Sequence, residues 1–482
     1  MMPTDPQRKA VVTAPKRLKT PLSMSRHHPS RAACPRAAAL AVLDRLELGH
    51  QTLDRALDDR ASATASLSRR DRALYNQLVF GVLRWRSRLD AVIAAHAKRP
   101  LNQITPTVGN ILRIGLFQIL LMDRIPASAA VNTAVALARR HAPPRSAGFV
   151  NAVLRNALRH PERSGLPDAH RSPTAYMAAA KSFPLWLITR WIDRFGIGAT
   201  GRLCDAINAV PPITVRCNRL KNSPVELLDA LTTQAERVEA VNGVPGALNI
   251  IGPRLPIAKM SAFGEGRFTV QDGAAQLVSL FLAPQPGEAV WDACAGLGGK
   301  TTHLAQLMQN RGELVATDNV PAKLAGLQKE AQRLGVGIIR TRLLDLSRLT
   351  ADEALPRFDR ILLDAPCTGL GVLRRNPDAK WSSQASDIAR CARRQARLLE
   401  RVAGLVKAGG LLVLAVCSME PEENEQVIAQ FLKKRPDFVI DHPQSNEGQT
   451  VAPYIDADGF LRTAPHTHGL DGFFAARLRR AG

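Results

Sequence analysis

Residues 288–300 read EAVWDACAGLGGK, an apolar run that ends in a glycine-rich turn. The pattern predicts a buried strand over 288–293 and a helix over 301–310. Glycine allows a sharp bend and lets the backbone approach a ligand where a Cβ atom would clash. The free amides at the start of the following helix add hydrogen-bond donors. We therefore expect a strand–turn–helix unit that binds a ligand, although many glycine clusters are only turns.

An acidic residue about twenty positions further on favours a nucleoside as that ligand. Asp318 closes the next predicted strand, 313–318, where a carboxylate can accept hydrogen bonds from both ribose hydroxyls. The alternative is that Asp318 only caps a helix N-terminus. The turn has neither the GxxxxGK[ST] spacing of phosphate loops nor a clean GxGxxG. These departures favour a sulfonium nucleoside without phosphates.

Two more aspartates end predicted strands further along the chain. Asp345 closes the segment 340–345, and Asp364 closes the segment 358–364. Ligands bind at the carboxyl edge of open α/β sheets, where both residues are expected. Asp345 is placed to hold an adenine amine, or it is a solvated loop residue, and the sequence leaves both interpretations open.

Two cysteines follow neighbouring apolar strands. Cys367 lies in DAPCTG, and Cys417 follows the run LLVLAV and precedes an acidic helix. If these strands are adjacent in a doubly wound sheet, their backbones lie ~4.8 Å apart and both thiols face one pocket. Buried cysteines are usually inert packing. That is our interpretation of three others: Cys204, Cys217 and Cys391.

A thiol beside a sulfonium methyl donor suits methylation of a pyrimidine at carbon 5. Carbon 5 is a poor nucleophile until a cysteine adds to carbon 6 and makes it enamine-like. Loss of the carbon 5 proton then expels the cysteine, which must react as a thiolate. Asp364 can hold the N3 edge of the ring protonated and so draw electrons away from carbon 6. The base must be flipped out or single-stranded to be reached.

Three motifs resemble those of the RNA cytosine-5 methyltransferases. They read CAGLGGKTTHLAQ from 294, DAPCTGLGVLRRNPDAKW from 364 and CSMEPEENE from 417, and FTVQD at 268–272 with Gln276 resembles the family's lead-in segment. The family turn usually reads CAAPGGK, so Gly296-Leu297 is a departure. The resemblance implies that Cys417 is the nucleophile and that Cys367 assists product release.

The same resemblance implies S-adenosylmethionine as cofactor. The residues it assigns to the cofactor are Cys294, Ala295, Gly296, Leu297, Gly298, Gly299, Lys300, Asp318, Asp345 and Asp364. Asp364 would serve both the cofactor and recognition of the base.

The N-terminal half has the apolar spacing of helices from 31 to 159. DRALYNQLVFG from 71, ILRIGLFQIL from 111 and GFVNAVLR from 148 resemble NusB-type RNA-binding domains. With the motifs above, the chain resembles bacterial small-subunit ribosomal RNA cytosine-5 methyltransferases that carry a fused NusB-like domain. The expected fold is a multidomain chain: an all-α NusB-like domain, a small α+β module and an α/β Rossmann-like methyltransferase domain.

We place the domain boundaries from changes in pattern. They are a flexible basic arm over 1–30, a helical RNA-binding domain over 31–165, a linker helix and α+β module over 166–265, and the catalytic domain over 266–482. The linker helix is expected over 183–195. From about 270 onward, strands alternate with helices, which predicts a parallel sheet covered on both faces.

Composition bears on the partners. The chain of 482 residues has 65 lysines and arginines against 42 acidic residues, a net charge of +23, which favours a polyanion such as RNA. Without a bilayer-length apolar run or a signal-type core, we expect a cytoplasmic protein with no membrane partner. Seven cysteines without CxxC spacing or a histidine cluster indicate a reducing compartment and no metal. We expect a monomer.

Three basic clusters are candidate RNA contacts. Arg84, Arg86 and Arg88 surround Trp85, and RNA binding and a solvated helix face are equally good interpretations. The pair Arg374-Arg375 follows Cys367 closely, which favours substrate contact. The arginines along the predicted helix at 390–401 are interpreted as exposed surface.

Other functions would leave different residues in the sequence. An amine methyltransferase would carry an Asn/Asp-Pro-Pro-aromatic motif where this chain has cysteine. A DNA cytosine methyltransferase would use Cys367 as nucleophile and needs no helical RNA domain. A transfer RNA cytosine-5 methyltransferase and a non-catalytic RNA-binding or antitermination factor remain alternatives. The intact glycine turn and both thiols argue against the last.

Overall fold

A computed structural model describes residues 34–49, 51–349, 355–443 and 450–482. The arm expected over 1–30 lies outside the described residues. Along the described chain, a helical part is followed by a four-stranded antiparallel sheet and then by an eight-stranded mixed sheet. The predicted fold class is confirmed. No helix in these ranges is long and apolar enough to cross a membrane.

Seven helices form the N-terminal part of the described chain. They are α1 (Pro35–Glu47), α2 (Leu53–Asp58), α3 (Ala61–Thr64), α4 (Arg69–His96), α5 (Pro106–Leu121), α6 (Ala127–His141) and α7 (Ser146–Arg159). The dense apolar run at 111–120 predicts a helix buried on most sides, and α5 is buried from Val108 to Gln118. Helices α1, α4, α6 and α7 pack against it, so α5 is the core of this part.

Two helices connect this part to the sheets: α8 (Pro173–Lys181) and α9 (Leu185–Asn208). The predicted linker helix at 183–195 is too short. Gly196, with φ 75°, kinks α9 without ending it, and the helix continues to Asn208. Trp191 is fully buried on this helix and packs edge-on against Phe183.

The four-stranded sheet has the order β2-β3-β1-β4 and is antiparallel throughout. Its elements are β1 (Ile213–Cys217), α10 (Pro224–Thr232), β2 (Ala235–Ala240), β3 (Ala247–Pro253), α11 (Ser261–Gly264) and β4 (Phe268–Val270). Ser223 and Glu226 close a capping box at the start of α10. Strand β4 pairs with β1, although our proposed boundary at 265 assigns it to the catalytic domain.

The eight-stranded sheet has the order β10-β12-β9-β8-β5-β6-β7, with β11 paired to β12. Its strands are β5 (Ala289–Asp292), β6 (Glu313–Asp318), β7 (Ile339–Leu343), β8 (Phe358–Asp364), β9 (Val406–Val416), β10 (Phe438–Ile440), β11 (Leu461–Thr463) and β12 (Phe473–Arg480). Its helices are α12 (Gly273–Leu282), α13 (Gly299–Leu307), α14 (Pro321–Leu334), α15 (Ala379–Ser382), α16 (Ala385–Ala403), α17 (Glu425–Lys434) and α18 (Pro465–His468).

Five of these strands, β5 to β9, are parallel, as predicted. The prediction of a parallel sheet is wrong at the C-terminal edge, where β12 runs antiparallel to both β9 and β10. A buried strand has the same apolar pattern in either direction, so its sequence does not reveal its orientation.

The order of the parallel strands fixes the position of the site. The chain moves outward from β5 to β7 on one side and returns to β8 and β9 on the other. The strand order therefore reverses between β5 and β8. Ligands of open α/β sheets bind at the carboxyl ends of strands at such a switch point.

Candidate active site

The glycine turn connects β5 to α13 through residues 293–298. Gly296 and Gly298 have φ values of 57° and 86°, in the left-handed region that favours glycine. A Cβ atom at Gly298 would lie 2.5 Å from Cγ of Leu327, whereas one at Gly296 would meet no described atom within 4 Å. Gly298 is thus required by close packing on α14, and Gly296 borders open space.

That space is a cleft of about 520 Å³ at the carboxyl ends of the parallel strands. Seven predicted site residues line it together: Cys294, Gly296, Asp318, Asp345, Asp364, Cys367 and Cys417. The other predicted residues of the turn lie outside this lining: Ala295, Leu297, Gly298, Gly299 and Lys300. Leu297 is 68% exposed, next to Gly326 of α14.

Asp318 fixes the turn to the end of β6. Its carboxylate accepts hydrogen bonds from the backbone N–H of Gly296 at 3.1 Å and of Val320 at 2.9 Å. Lys323 lies 3.6 Å away. Asp318 therefore also contributes to the start of α14, since it accepts a hydrogen bond from the amide of the N-cap residue. A carboxylate offers about four acceptor positions, so capacity remains for hydroxyl groups of a ligand.

Asp345 both caps a short turn and lines the cleft. Its Oδ1 accepts a hydrogen bond from the backbone N–H of Ser347 at 2.9 Å and so caps a short turn. The hydrogen bonds from Ser347 hold the pKa of Asp345 below its usual value. The same side chain borders the cleft, where it faces ligand space as an ionised acceptor.

Lys300 and Asp364 form an ion pair beside the thiols. Nζ of Lys300 lies 2.6 Å from Oδ2 of Asp364. Burial lowers the pKa of Lys300, but the charge and hydrogen bond of Asp364 and the nearby Cys417 outweigh burial and raise it above its ordinary value. Lys300 does not line the cleft itself, and its ion pair holds the carboxylate of Asp364, which does.

The two predicted thiols meet in the cleft. Sγ of Cys367 lies 3.0 Å from Sγ of Cys417, because β8 and β9 are adjacent parallel strands. The expected adjacency of these strands and the shared pocket are confirmed. The hydrogen bond to Cys417, followed by burial, raises the pKa of Cys367 well above its ordinary value.

A buried glutamate holds the two thiol loops together, and the sequence analysis missed it. Glu423 accepts hydrogen bonds from the N–H and hydroxyl of Thr368, at 2.8 and 2.6 Å, and from the hydroxyl of Ser418 at 2.5 Å. These partners directly follow Cys367 and Cys417. Burial raises the pKa of Glu423. The sequence after Cys417 predicts only an acidic helix and does not show that Glu423 is buried.

The arginine pair after Cys367 is held by two carboxylates. Arg374 is buried, and both it and Arg375 form ion pairs with Asp272 and Asp471. Carboxylates already hold both guanidinium groups, and substrate contact by this pair stays a prediction. These partners are distant in sequence.

The cluster around Trp85 is divided among three environments. Arg84 is buried and donates to the carbonyl of Arg374, Arg86 pairs with Glu47, and Arg88 lies over the Trp85 ring. The cluster as a whole is therefore not a solvated helix face, and RNA contact by it stays a prediction.

Arg394 on α16 is a further residue that the sequence analysis missed. We interpreted it as exposed surface with its neighbours on the helix, and it is exposed, but it also borders the cleft. Periodicity along a helix does not show which of several arginines lies beside a cleft. Other lining residues not predicted include Asn319, Lys323, Leu344, Leu346, Ser347, Pro366 and Leu398.

These residues fit a nucleoside that carries a positively charged sulfur. Three carboxylates line one cleft at the switch point, and the open side of Gly296 lets the backbone contact a ligand. Within the described ranges, no group of three or more His, Cys, Asp or Glu residues could hold a metal ion.

Comparison with known families agrees with this site. The family model described as 16S rRNA methyltransferase RsmB/F matches residues 279–479. The NusB family matches residues 34–159, and the ferredoxin-like domain of RsmF/B-like methyltransferases matches residues 183–257. The three matches cover the catalytic sheet, the N-terminal helices, and α9 with most of the four-stranded sheet.

Individual relatives extend over almost the whole chain. The probable ribosomal RNA small subunit methyltransferase B of Bacillus subtilis (strain 168) is 35% identical over 93% of this chain and 99% of its own length. Its Synechocystis counterpart is 37% identical over 88% of this chain and 94% of its own length. The crystal structure of PH0851 is similar with a TM-score of 0.76 and 27% identity, over 92% and 99% of the two chains. The chain therefore belongs to the RsmB/F family of 16S rRNA methyltransferases.

Proposed function

We propose that this chain methylates carbon 5 of a cytosine in small-subunit ribosomal RNA through a covalent bond from Cys417 to carbon 6. The observation that carries the proposal is the 3.0 Å contact between Cys367 and Cys417 in the cleft that also contains Gly296 and Asp318. An amine or hydroxyl methyltransferase would have no use for two thiols in contact at that position. The relatives' names support the ribosomal RNA substrate.

S-adenosylmethionine is the proposed cofactor, and when bound it supplies an electrophilic methyl group. Asp318 is the proposed partner of the ribose hydroxyls, and Asp345 that of the adenine amine. The turn over 294–300 would contact the cofactor through its backbone, with Gly296 at the point of closest approach. Leu297 and Lys300 would shape the turn from outside the lining.

Cys417 is the proposed nucleophile, as the resemblance to RNA cytosine-5 methyltransferases implies. It directly follows β9 and lines the cleft, where its Sγ lies 3.0 Å from Sγ of Cys367. Cys417 loses its proton to solvent and its sulfur bonds to carbon 6, which makes carbon 5 nucleophilic enough to take the methyl group. Loss of the carbon 5 proton then restores the aromatic ring and breaks the sulfur–carbon bond, and Cys417 leaves.

Cys367 and Asp364 have supporting roles in this proposal. Cys367 assists release of the methylated product, and it lies close enough to Cys417 to exchange a proton with it. Asp364 holds the N3 edge of the cytosine, and Lys300 keeps the carboxylate oriented. Both groups lie in a cleft that a stacked base cannot enter. The target base must therefore leave its stack to reach them.

The test is methylation of defined RNAs with tritiated S-adenosylmethionine, followed by bisulfite sequencing. We expect one 5-methylcytosine in small-subunit ribosomal RNA and none in transfer RNA. Methylation of transfer RNA alone would contradict the proposed substrate and leave the proposed chemistry intact. A methyl group on any atom other than carbon 5 would refute the proposed mechanism. A cytoplasmic location and a monomeric state accompany the proposal as predictions.

A further inference from the structure

An apolar cavity of about 670 Å³ lies where the N-terminal helices meet the catalytic part of the chain. We call it the junction cavity. One wall comes from α4 and the end of α5, a second from the segment between α9 and β1, and a third from the loop that follows Cys367. Three aromatic side chains line it: Phe80, Trp85 and Phe117. The cavity exists only because these distant segments meet.

A buried cation without a counter-charge lines this cavity. Arg84 is 5% exposed, and its guanidinium donates to the carbonyl oxygen of Arg374 at 2.8 Å. Its Nε has no hydrogen-bond partner among the described residues. Burial lowers the pKa of Arg84, and no described carboxylate offsets that effect. A buried charge without compensation is costly, which indicates that an acceptor is missing here.

A second buried basic side chain lies directly behind Arg84. Nζ of Lys380 lies 3.2 Å from the carbonyl oxygen of Arg84 and 2.6 Å from Oδ1 of Asn208. The only other hydrogen-bond acceptor described for Lys380 is the carbonyl oxygen of Ser182, so it also lacks a carboxylate. By contrast, Asp272 and Asp471 neutralise the arginine pair after Cys367. Burial and the charge of Arg84 lower the pKa of Lys380 well below its ordinary value, so the unpaired charge beneath the aromatic surface is that of Arg84.

We propose that the junction cavity binds an unpaired nucleobase of the substrate RNA, at a site separate from the target cytosine. This inference rests on the proposed function, since it takes RNA as the substrate. Aromatic side chains stack on any base, and an arginine donor suits a base carbonyl or the adjoining phosphate. The volume is within the range of pockets that hold small ligands, roughly 300–1,000 Å³.

The cavity and the cleft are close enough for one RNA to occupy both. Arg374 borders the cavity and follows Cys367 by seven residues, which span at most about 25 Å when fully extended. The intervening loop is anchored to the second thiol strand, because the N–H of Gly371 donates to the carbonyl of Cys417 at 3.0 Å. A base in the junction cavity would therefore set the register that brings one cytosine to Cys417.

Val210 allows the cavity to be blocked without disturbing the core. It is 80% exposed and lines the cavity, so Val210→Trp would occupy the space with an indole. The matched control is Val225→Trp, at a valine that is 69% exposed on α10, away from the cavity. Both variants are made in the full chain and assayed with a small-subunit ribosomal RNA transcript that contains the target.

We expect Val210→Trp to raise the KM for RNA by about 5- to 150-fold, the range for loss of one stacked base. Its Kd for S-adenosylmethionine should match that of the wild type, and Val225→Trp should change neither quantity. An unchanged KM in Val210→Trp would overturn the proposal.

A second measurement does not depend on the variant or on turnover. The same transcript carrying 4-thiouridine is photocrosslinked to the wild-type chain, and the crosslinked peptides are mapped by mass spectrometry. We expect a crosslink within 76–85 or 117–122 in addition to those at the cleft. Crosslinks at the cleft alone would overturn the cavity proposal and leave the proposed function intact. An absence of both crosslinks and methylation would refute the proposed function as well.

Discussion

Sγ of Cys417 lies 3.0 Å from Sγ of Cys367, although fifty residues separate them in the chain. The contact follows from the pairing of β8 with β9, which aligns Asp364 with Ala415 and brings the loops after both strands to one point. Two cysteines in contact at a ligand cleft can divide a reaction between them, one as nucleophile and the other as a proton carrier. The first two predictions separate these roles.

Cys417→Ala should abolish methyl transfer, by at least about 10³-fold, because the variant has no atom to bond to carbon 6. Its affinity for S-adenosylmethionine, measured by calorimetry, should be unchanged, since the proposed cofactor contacts lie on other residues. Cys391→Ala is the matched control, at a half-buried cysteine of α16 that does not line the cleft. Full activity of Cys417→Ala would show that Cys417 is not the nucleophile.

Cys367→Ala should instead trap the covalent complex of Cys417 with RNA, because the step that releases the product is impaired. The complex would migrate as a slow band on a denaturing gel, and nuclease treatment would remove it. The double variant with Cys417→Ala should show no such band. If Cys417→Ala traps RNA and Cys367→Ala does not, the two roles are exchanged.

Glu423→Gln should lower kcat by about 10- to 100-fold, because one amide oxygen replaces two carboxylate oxygens that accept from both thiol loops. The KM for S-adenosylmethionine should change little, since Glu423 does not line the cleft. Glu422→Gln is the matched control, at a neighbour that is 34% exposed and pairs with Arg190. A merely structural role for Glu423 would lower the melting temperature and leave the kcat of the folded fraction unchanged.

The site could be predicted as far as it depends on strand ends. Alternation of strands and helices places Asp318, Cys367 and Cys417 at the carboxyl edge of one sheet, and the strand order then brings the two thiols together. The glycine turn could also be predicted, because its conformation depends on local sequence.

Partners that are distant in the chain could not be predicted in this way. Arg374 and Asp471 pair across 97 positions, and no local pattern distinguishes a paired arginine from one that is free to bind RNA. The same holds for Glu423, whose burial depends on how the loops after β8 and β9 fold around it. The orientation of β12 also depends on tertiary packing.

Asp292 provides a test of the site's electrostatics through stability. It ends β5, is 1% exposed and accepts a hydrogen bond from Thr301 at 2.6 Å. Burial raises its pKa from 3.8 to about 7, and the charge of Asp364 adds to this effect while Lys300 opposes it. Because the folded state favours the protonated form, the stability contributed by this group is complete below about pH 4 and is lost as the pH rises towards 7.

Asp292→Asn keeps the acceptor for Thr301 and does not titrate. The melting temperature of the variant minus that of the wild type should therefore increase between pH 4 and pH 7 and become constant above it. The subtraction cancels the titration of all other groups to the extent that they are unaffected by the substitution. Asp458→Asn, at an exposed loop position, should give a difference that does not vary with pH. A difference between Asp292→Asn and the wild type that is flat from pH 4 to pH 8 would show that Asp292 is ionised in the fold, and that Lys300 compensates its charge as well as that of Asp364.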